Sequence, residues 1–233
     1  NFWMSMRNSL LLAIGFICIQ HPLAMITAAV LDKLGGKGES FFRCVFFIPN
    51  VISVAVIAYL WKFIYNPDFG LLNNIIKAFG GKGGINWFSS DKAIWAVLVV
   101  LIWHGFGWGM LIYYTGIKNI DPVLYEAAAI DGASRWKRVW HITIPGLVPT
   151  IVLLTTLAMG NVLNAGFDQV FNMYNQLVIE TGDIIDTYVY RIGITNMQFS
   201  LATAAGLFKS VVSFVLVVTS YVCAYKFADY KIF

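Results

Sequence analysis

Charge is scarce in this sequence. Lys, Arg, Asp and Glu make up 12% of 233 residues, about half the share found in soluble domains. So few charges cannot cover a water-facing surface, which excludes a water-soluble enzyme and a disordered chain. Cysteine is scarce too. Cys18, Cys44 and Cys223 stand far apart in or near apolar runs, with no CxxC and no Cys/His cluster. That excludes a disulfide scaffold and offers no metal site, so the thiols read as packing groups. The net charge of +4 is small and unclustered, which argues against a nucleic-acid partner. What is abundant is apolar: 59% hydrophobic and 16% aromatic residues, with a mean hydropathy of +0.72. An all-α polytopic membrane protein is the class that remains.

A bilayer core about 30 Å thick needs about 20 helical residues. Five stretches qualify: 9–31, 44–65, 93–117, 147–171 and 199–225. The connections alternate in charge. Lys33, Lys37 and Arg43 lie between the first and second, Lys118, Arg135, Lys137 and Arg138 between the third and fourth, and Lys226 and Lys231 after the fifth. The opposite segments hold Arg7, Lys77, Lys82, Lys92 and Arg191, diluted by Asp68, Asp91, Glu180, Asp183 and Asp186. The basic set is expected to face the cytoplasm, with Asn1 outside and the C-terminus inside. The first span lacks a basic leader and a small-residue cleavage site, so it does not look like a signal peptide. The chain starts at Asn1 rather than Met, and a further span upstream is expected, six in all.

Within the second connection, Leu71, Leu72, Ile75 and Ile76 recur at helical spacing before a run of glycines, which predicts a short interfacial helix. Two Gly-Lys pairs, Gly36-Lys37 and Gly81-Lys82, are each followed by glycine and lack P-loop spacing. If ATP drives the protein, a partner subunit must hold it.

The connection 118–146 is too long for a turn. Asp121-Pro122 is a strong helix start, with Asp as N-cap and Pro at the first helical position. Leu124 to Asp131 continue that helix and Gly132 suits its C-terminal cap. Ser134 caps a second helix bearing Arg135, Trp136, Lys137 and Arg138, which Pro145 is expected to break. These residues resemble the EAA loop of binding-protein-dependent ABC importer permeases: Glu-Ala-Ala, three residues, Gly, nine residues, Ile, one residue, Leu-Pro. Glu126, Ala127, Ala128, Gly132, Ile142 and Pro145 fall in register, with Ile144 in place of the usual Leu. Phe47-Ile48-Pro49-Asn50, Ala128 to Ala133 with Trp136, Leu163–Phe171, the run from Glu180 to Arg191, and Gly206 to Ser210 look like the branch for complex carbohydrates, near the polysaccharide "lipoprotein" and maltose types.

The resemblance covers essentially the whole chain and implies a type I importer transmembrane domain over residues 1–233, set in the bacterial inner membrane. It implies that Glu126, Ala127, Ala128, Asp131, Gly132 and Pro145 couple to an ATP-hydrolysing subunit dimer. It also implies a second homologous permease, identical or different, and an extracellular solute-binding protein. ATP and Mg would sit in the partner subunits, and no cofactor or metal is expected in this chain.

The fourth span carries Asn161, Asn164, Asp168 and Asn172 at spacings that share one helical face, with Gln169 beside them. Polar groups in hydrocarbon face the bundle interior or water. One reading makes them a hydroxyl-binding stripe for sugar, because amides and carboxylates supply donors and acceptors. The other makes them interhelical hydrogen bonds. Trp103 and His104 are further path candidates, against packing as the alternative. Gly105 and Gly109 form a GxxxG pair that favours close helix contact. Asp183 and Asp186 are candidates for contact with the binding protein, against a solvated loop. The expected function is uptake of an oligosaccharide or related carbohydrate, by a permease that is not itself an enzyme. The rivals are a non-sugar cargo such as glycerol phosphate or polyamine, and a secondary transporter.

Overall fold

A computed structural model of the chain describes residues 2–89, 92–164, 166–174, 178–179 and 182–228; Asn1, Asp91, Glu180 and Lys231 lie outside them. The described secondary structure is all helical. In chain order it comprises α1 (Phe2–Leu34), α2 (Gly36–Val51), α3 (Val54–Ile64), α4 (Leu71–Ala78), α5 (Ala93–Lys118), α6 (Pro122–Ile130), α7 (Arg135–Arg138), α8 (Ile144–Gly160), α9 (Phe167–Met173), α10 (Ile185–Tyr190) and α11 (Phe199–Ala228). A π turn, Val139–Thr143, joins α7 to α8, and another, Arg191–Thr195, follows α10.

Four helices are long and apolar enough to cross a membrane: α1, α5, the continuous rod Arg135–Gly160, and α11 through Cys223. α5 is the central one. Its apolar stretch is 44% buried, against 11% for the rod and for α11, whose outer faces stay apolar and uncovered. Leu31, Met110, Tyr113 and Leu147 are buried where α1, α5 and α8 meet, and Leu12 and Val97 are buried with Ile57 of α3 and Met173 of α9.

α1 and α5 are parallel. Gln20 donates to the Gly105 carbonyl at 3.3 Å, His21 Nδ1 meets the Tyr113 hydroxyl at 2.8 Å, and Asp32 pairs with Lys118 at 2.7 Å. Both partner numbers rise together along the contact. The chain between two parallel spans must cross back, and only α2 with α3 can take it. These two meet at 98°, so the expected straight span 44–65 is instead two helices. Pro49 in the last turn of α2 leaves one fewer backbone donor, and Ile52 and Ser53 are extended. Asn50 Nδ2 ties the break to the His104 carbonyl at 3.3 Å. At the α2–α5 crossing, a Cβ on Gly107 would strike the Phe46 carbonyl, so backbone lies directly on backbone. The GxxxG pair faces α1: Cβ atoms on Gly105 and Gly109 would meet Phe16 and Gln20.

The expected span 147–171 is corrected in the same way. The helix ends at Gly160, residues 161–164 form a turn, and Gly166 is left-handed at φ 87° before α9 begins. Asn161 supplies the stop, since its Nδ2 bonds back to the Leu157 carbonyl at 3.2 Å. At the other end Pro145 does not break the helix. It sits in the first turn of α8, and the π turn before it, where the Ile144 N–H reaches the Val139 carbonyl, carries the helix through. α8 and α11 run antiparallel, with Thr156 beside Ser220. The short helix expected at 71–76 is α4.

Candidate functional site

The break after α8 opens a cavity of about 330 Å³ between α1, α5 and the residues Asn161, Val162, Asn164, Gly166 and Gln169. Its polar lining is His104, Asn161, Asn164 and Gln169, set among Ala13, Phe16, Ile17 and Leu101. Gln169 is buried and its Nε2 lies 3.2 Å from His104 Nδ1. With the Gln169 amide nitrogen as donor, His104 Nδ1 is the acceptor. A second cavity of about 630 Å³ lies between α8, α10 and α11, lined by Asn164, Asp186, Thr203, Lys209, Ser210 and Ser213. Asp186 and Lys209 form an ion pair there. Asn164 lines both cavities, and no other described residue bonds its side chain.

The helical stripe read from the sequence is therefore not one face of one helix, because the helix has ended before it begins. Asn161, Asn164 and Gln169 nevertheless converge with His104, brought together by the turn. Asp168 is exposed and is not among the residues lining this cavity, and its backbone carbonyl accepts from Asn172 Nδ2 at 2.7 Å. Trp103 lies outside the cavity, edge-on to Trp61 at 5.6 Å in the α3–α5 packing. Thr203 and Ser213 escaped the sequence reading, and Lys209 and Ser210 entered it only within the Gly206–Ser210 resemblance, with no site role. Their signal was the placing of Lys209, Ser210 and Ser213 at 6, 7 and 10 residues from Thr203, on one side of a largely apolar helix.

Asp183 is not a surface residue. It is 1% exposed and receives Ser5 Oγ, Thr187 Oγ1 and the Arg191 guanidinium, while its carbonyl accepts Asn8 Nδ2 at 2.9 Å. Ser9 Oγ accepts the Ile185 N–H at 2.9 Å. The head of α1 thus clamps the segment before α10, which corrects the expectation of a contact with another protein through Asp183. Asp186 is likewise engaged, by Lys209. Burial raises the pKa of the nearby Tyr174 hydroxyl well above its ordinary value, and the Asp183 charge adds to the effect.

The 119–143 connection projects beyond the spans. Asp121 caps α6, accepting the Val123 N–H at 2.9 Å. Gly132 at φ 70° ends it in a Schellman turn, with the Ala133 N–H on the Ala128 carbonyl at 2.9 Å. Ser134 Oγ caps α7 through the Lys137 N–H. No α6 residue is buried. Glu126, Ala127, Asp131, Gly132 and Pro145 are exposed and Ala128 half-buried. Val123, Leu124 and Ile130 are also uncovered, with Ile130 at 87% exposure. The bend therefore holds out a short helix whose apolar side chains nothing in the described chain covers.

The model of the binding-protein-dependent transport system inner membrane component matches residues 20–229. The chain belongs to that family of multi-pass inner-membrane proteins. Protein LplB of Bacillus subtilis (strain 168) is 35% identical, over 100% of this chain and 74% of LplB. The polygalacturonan/rhamnogalacturonan transport system permease protein YteP of the same organism is 34% identical, over 100% of this chain and 73% of YteP. The lactose transport system permease protein LacF of Rhizobium radiobacter is 33% identical, over 73% of this chain and 57% of LacF. Among solved structures, a chain of a bacterial alginate ABC transporter, in complex with alginate pentasaccharide-bound periplasmic protein, superposes with a TM-score of 0.90. It is 29% identical and the match covers 95% of this chain and 77% of that one.

Proposed function

We propose that this chain is the permease subunit of an ATP-driven ABC importer for an oligosaccharide, forming half of the translocation path and performing no chemistry itself. The observation that carries the reading is the pair of cavities sharing Asn164. Both open between membrane-length helices, and the first offers only uncharged hydrogen-bonding groups beside an aromatic ring. Hydroxyl-rich cargo needs donors and acceptors together, which His104, Asn161, Asn164 and Gln169 supply. YteP, LacF and the alginate transporter are each named for a carbohydrate. The α6 loop lies in the cytoplasm and docks on an ATPase subunit that holds ATP and Mg. A second permease faces this one across the path, and an extracellular binding protein delivers the sugar.

The test is ATP-dependent uptake of labelled oligosaccharide by vesicles holding the assembled transporter and its binding protein. Asn164→Ala is expected to cut uptake per complex about tenfold, the effect of about 1.4 kcal/mol lost at a polar contact, with assembly unchanged. Undiminished uptake per assembled complex would remove Asn164 from the path.

A further inference from the structure

A third cavity, of about 440 Å³, lies where α1 and α5 end and the 119–143 loop folds back beneath them. Its charged lining is Asp32, Lys33, Arg135 and Arg138, with the Tyr125 and Thr143 hydroxyls and an apolar floor of Ala29, Ile117 and Val139. Asp32 is already paired with Lys118 at 2.7 Å. Of the other carboxylates at this end, Glu39 is engaged by Arg43 and Tyr114, and Asp121, Glu126 and Asp131 of the loop form no ion pair among the described residues. No carboxylate among the described residues pairs with Lys33, Arg135 or Arg138. Three cations therefore converge on a cleft whose one lining carboxylate, Asp32, is already paired with Lys118. Lys33 has a local reason to be there, since a cation suits the C-terminal end of α1. Arg135 has none: it stands at the first position of α7, the positive end of that helix. Arg138 spends only its Nε, on the Ala133 carbonyl at 3.1 Å. Tyr125 and Thr143 share one hydrogen bond of 2.9 Å. That bond uses one hydroxyl proton of two and leaves the other free to donate.

We infer that this cleft binds a phosphate group, that of an anionic phospholipid headgroup. Two guanidinium forks, an ammonium and a spare hydroxyl proton match phosphate oxygens. The cleft sits at the ends of two spans, at headgroup depth in either orientation of the chain. Trp136 and Trp140, 75% and 64% exposed on the same segment, are the side chains expected at that depth. The apolar floor suits the glycerol end of a lipid better than a free ion. The consequence is that the segment leading from α6 into α8 is held to the membrane surface by lipid as well as by its own bend.

The experiment is native mass spectrometry of the complete transporter released from nanodiscs of phosphatidylcholine and phosphatidylglycerol. Wild type is expected to retain phosphatidylglycerol in preference to phosphatidylcholine. Each basic residue near an anionic lipid surface contributes about fivefold, so Lys33→Gln with Arg135→Gln lowers that retention by more than tenfold. The charge-preserving pair Lys33→Arg with Arg135→Lys keeps it, which separates charge from folding. Arg138 is left intact because it also props the bend. Equal retention by wild type and the Gln variant, or equal retention of both lipids by wild type, would overturn the site. So would phosphatidylglycerol bound to the permease alone but absent from the complete complex, since an ATPase subunit would then fill the cleft. Displacement of the lipid by inorganic phosphate that itself stays bound would assign the same cations to a soluble phosphate and overturn the lipid.

Discussion

Single residues differ in how openly the sequence declares them. Asn161, Asn164 and Gln169 stand out as amides in an apolar run, and the cost of placing them in lipid is enough to single them out. Asp183 was equally visible but its partners were not. Ser5, Asn8 and Ser9 are small groups at the head of a long apolar helix, and only the fold brings them 175 residues or more along the chain to Asp183 and Ile185. The geometry predicts an asymmetry. The Asp183 side chain is 2% exposed and that of Arg191 31%. Arg191→Gln strands a carboxylate in the interior, whereas Asp183→Asn strands a guanidinium that can reach the surface. Removing one member of a buried pair costs about 3–5 kcal/mol, so Arg191→Gln belongs at the top of that range or beyond and Asp183→Asn at or below its bottom. Thermal unfolding of the purified complex should rank them in that order. A lower midpoint for Asp183→Asn would mean that its hydrogen bonds to Ser5 and Thr187, and not the charge, hold the clamp.

Elements were legible where the pattern is local. Asp121-Pro122 and Gly132 delimit α6 because caps and left-handed positions are set by the residues that occupy them. The breaks at Ile52–Ser53 and after Gly160 were hidden because hydropathy averages over about 20 residues and a broken span is as greasy as a straight one. The π turns were hidden too, since no residue pattern separates a single i→i+5 turn from its α-helical surroundings. The Gly132 bend can be tested cleanly. A Cβ there meets nothing within 4 Å, so any cost is the left-handed backbone alone, about 1–2 kcal/mol for a non-glycine residue. Asn tolerates that conformation and β-branched Val does not. Gly132→Val is therefore expected to lose co-purifying ATPase subunit while Gly132→Asn keeps most of it, the spans remaining folded in both. Equal co-purification would mean that the bend does not set the docking angle.

At the scale of the whole molecule, the helix directions determine the topology more firmly than any charge count. α1 and α5 are parallel, so the bent α2–α3 pair is a crossing. α5 enters the 119–143 loop and leaves it as α8, with Tyr125 and Thr143 in contact at that end. After α8, the 7 residues of α9 and 6 of α10 are too short to cross again. α11 then returns antiparallel to α8. Lys137 and Met197 must consequently lie on opposite sides, whichever side is which. Charge supplies the second half of the argument: Lys33, Lys37, Lys118, Arg135, Lys137, Arg138 and Lys226 gather at the Lys137 end, which the positive-inside bias assigns to the cytoplasm. Cys18, Cys44 and Cys223 are all exposed on the protein surface and must be replaced before labelling. In that background an impermeant thiol reagent added to sealed cells should modify Met197→Cys, whose native side chain is 73% exposed, and spare Lys137→Cys until the membrane is opened. Labelling of both from outside would contradict the helix directions themselves. Labelling of Lys137→Cys alone would keep the fold but invert it, placing α6 outside the cell, where no ATP-hydrolysing subunit could dock on it.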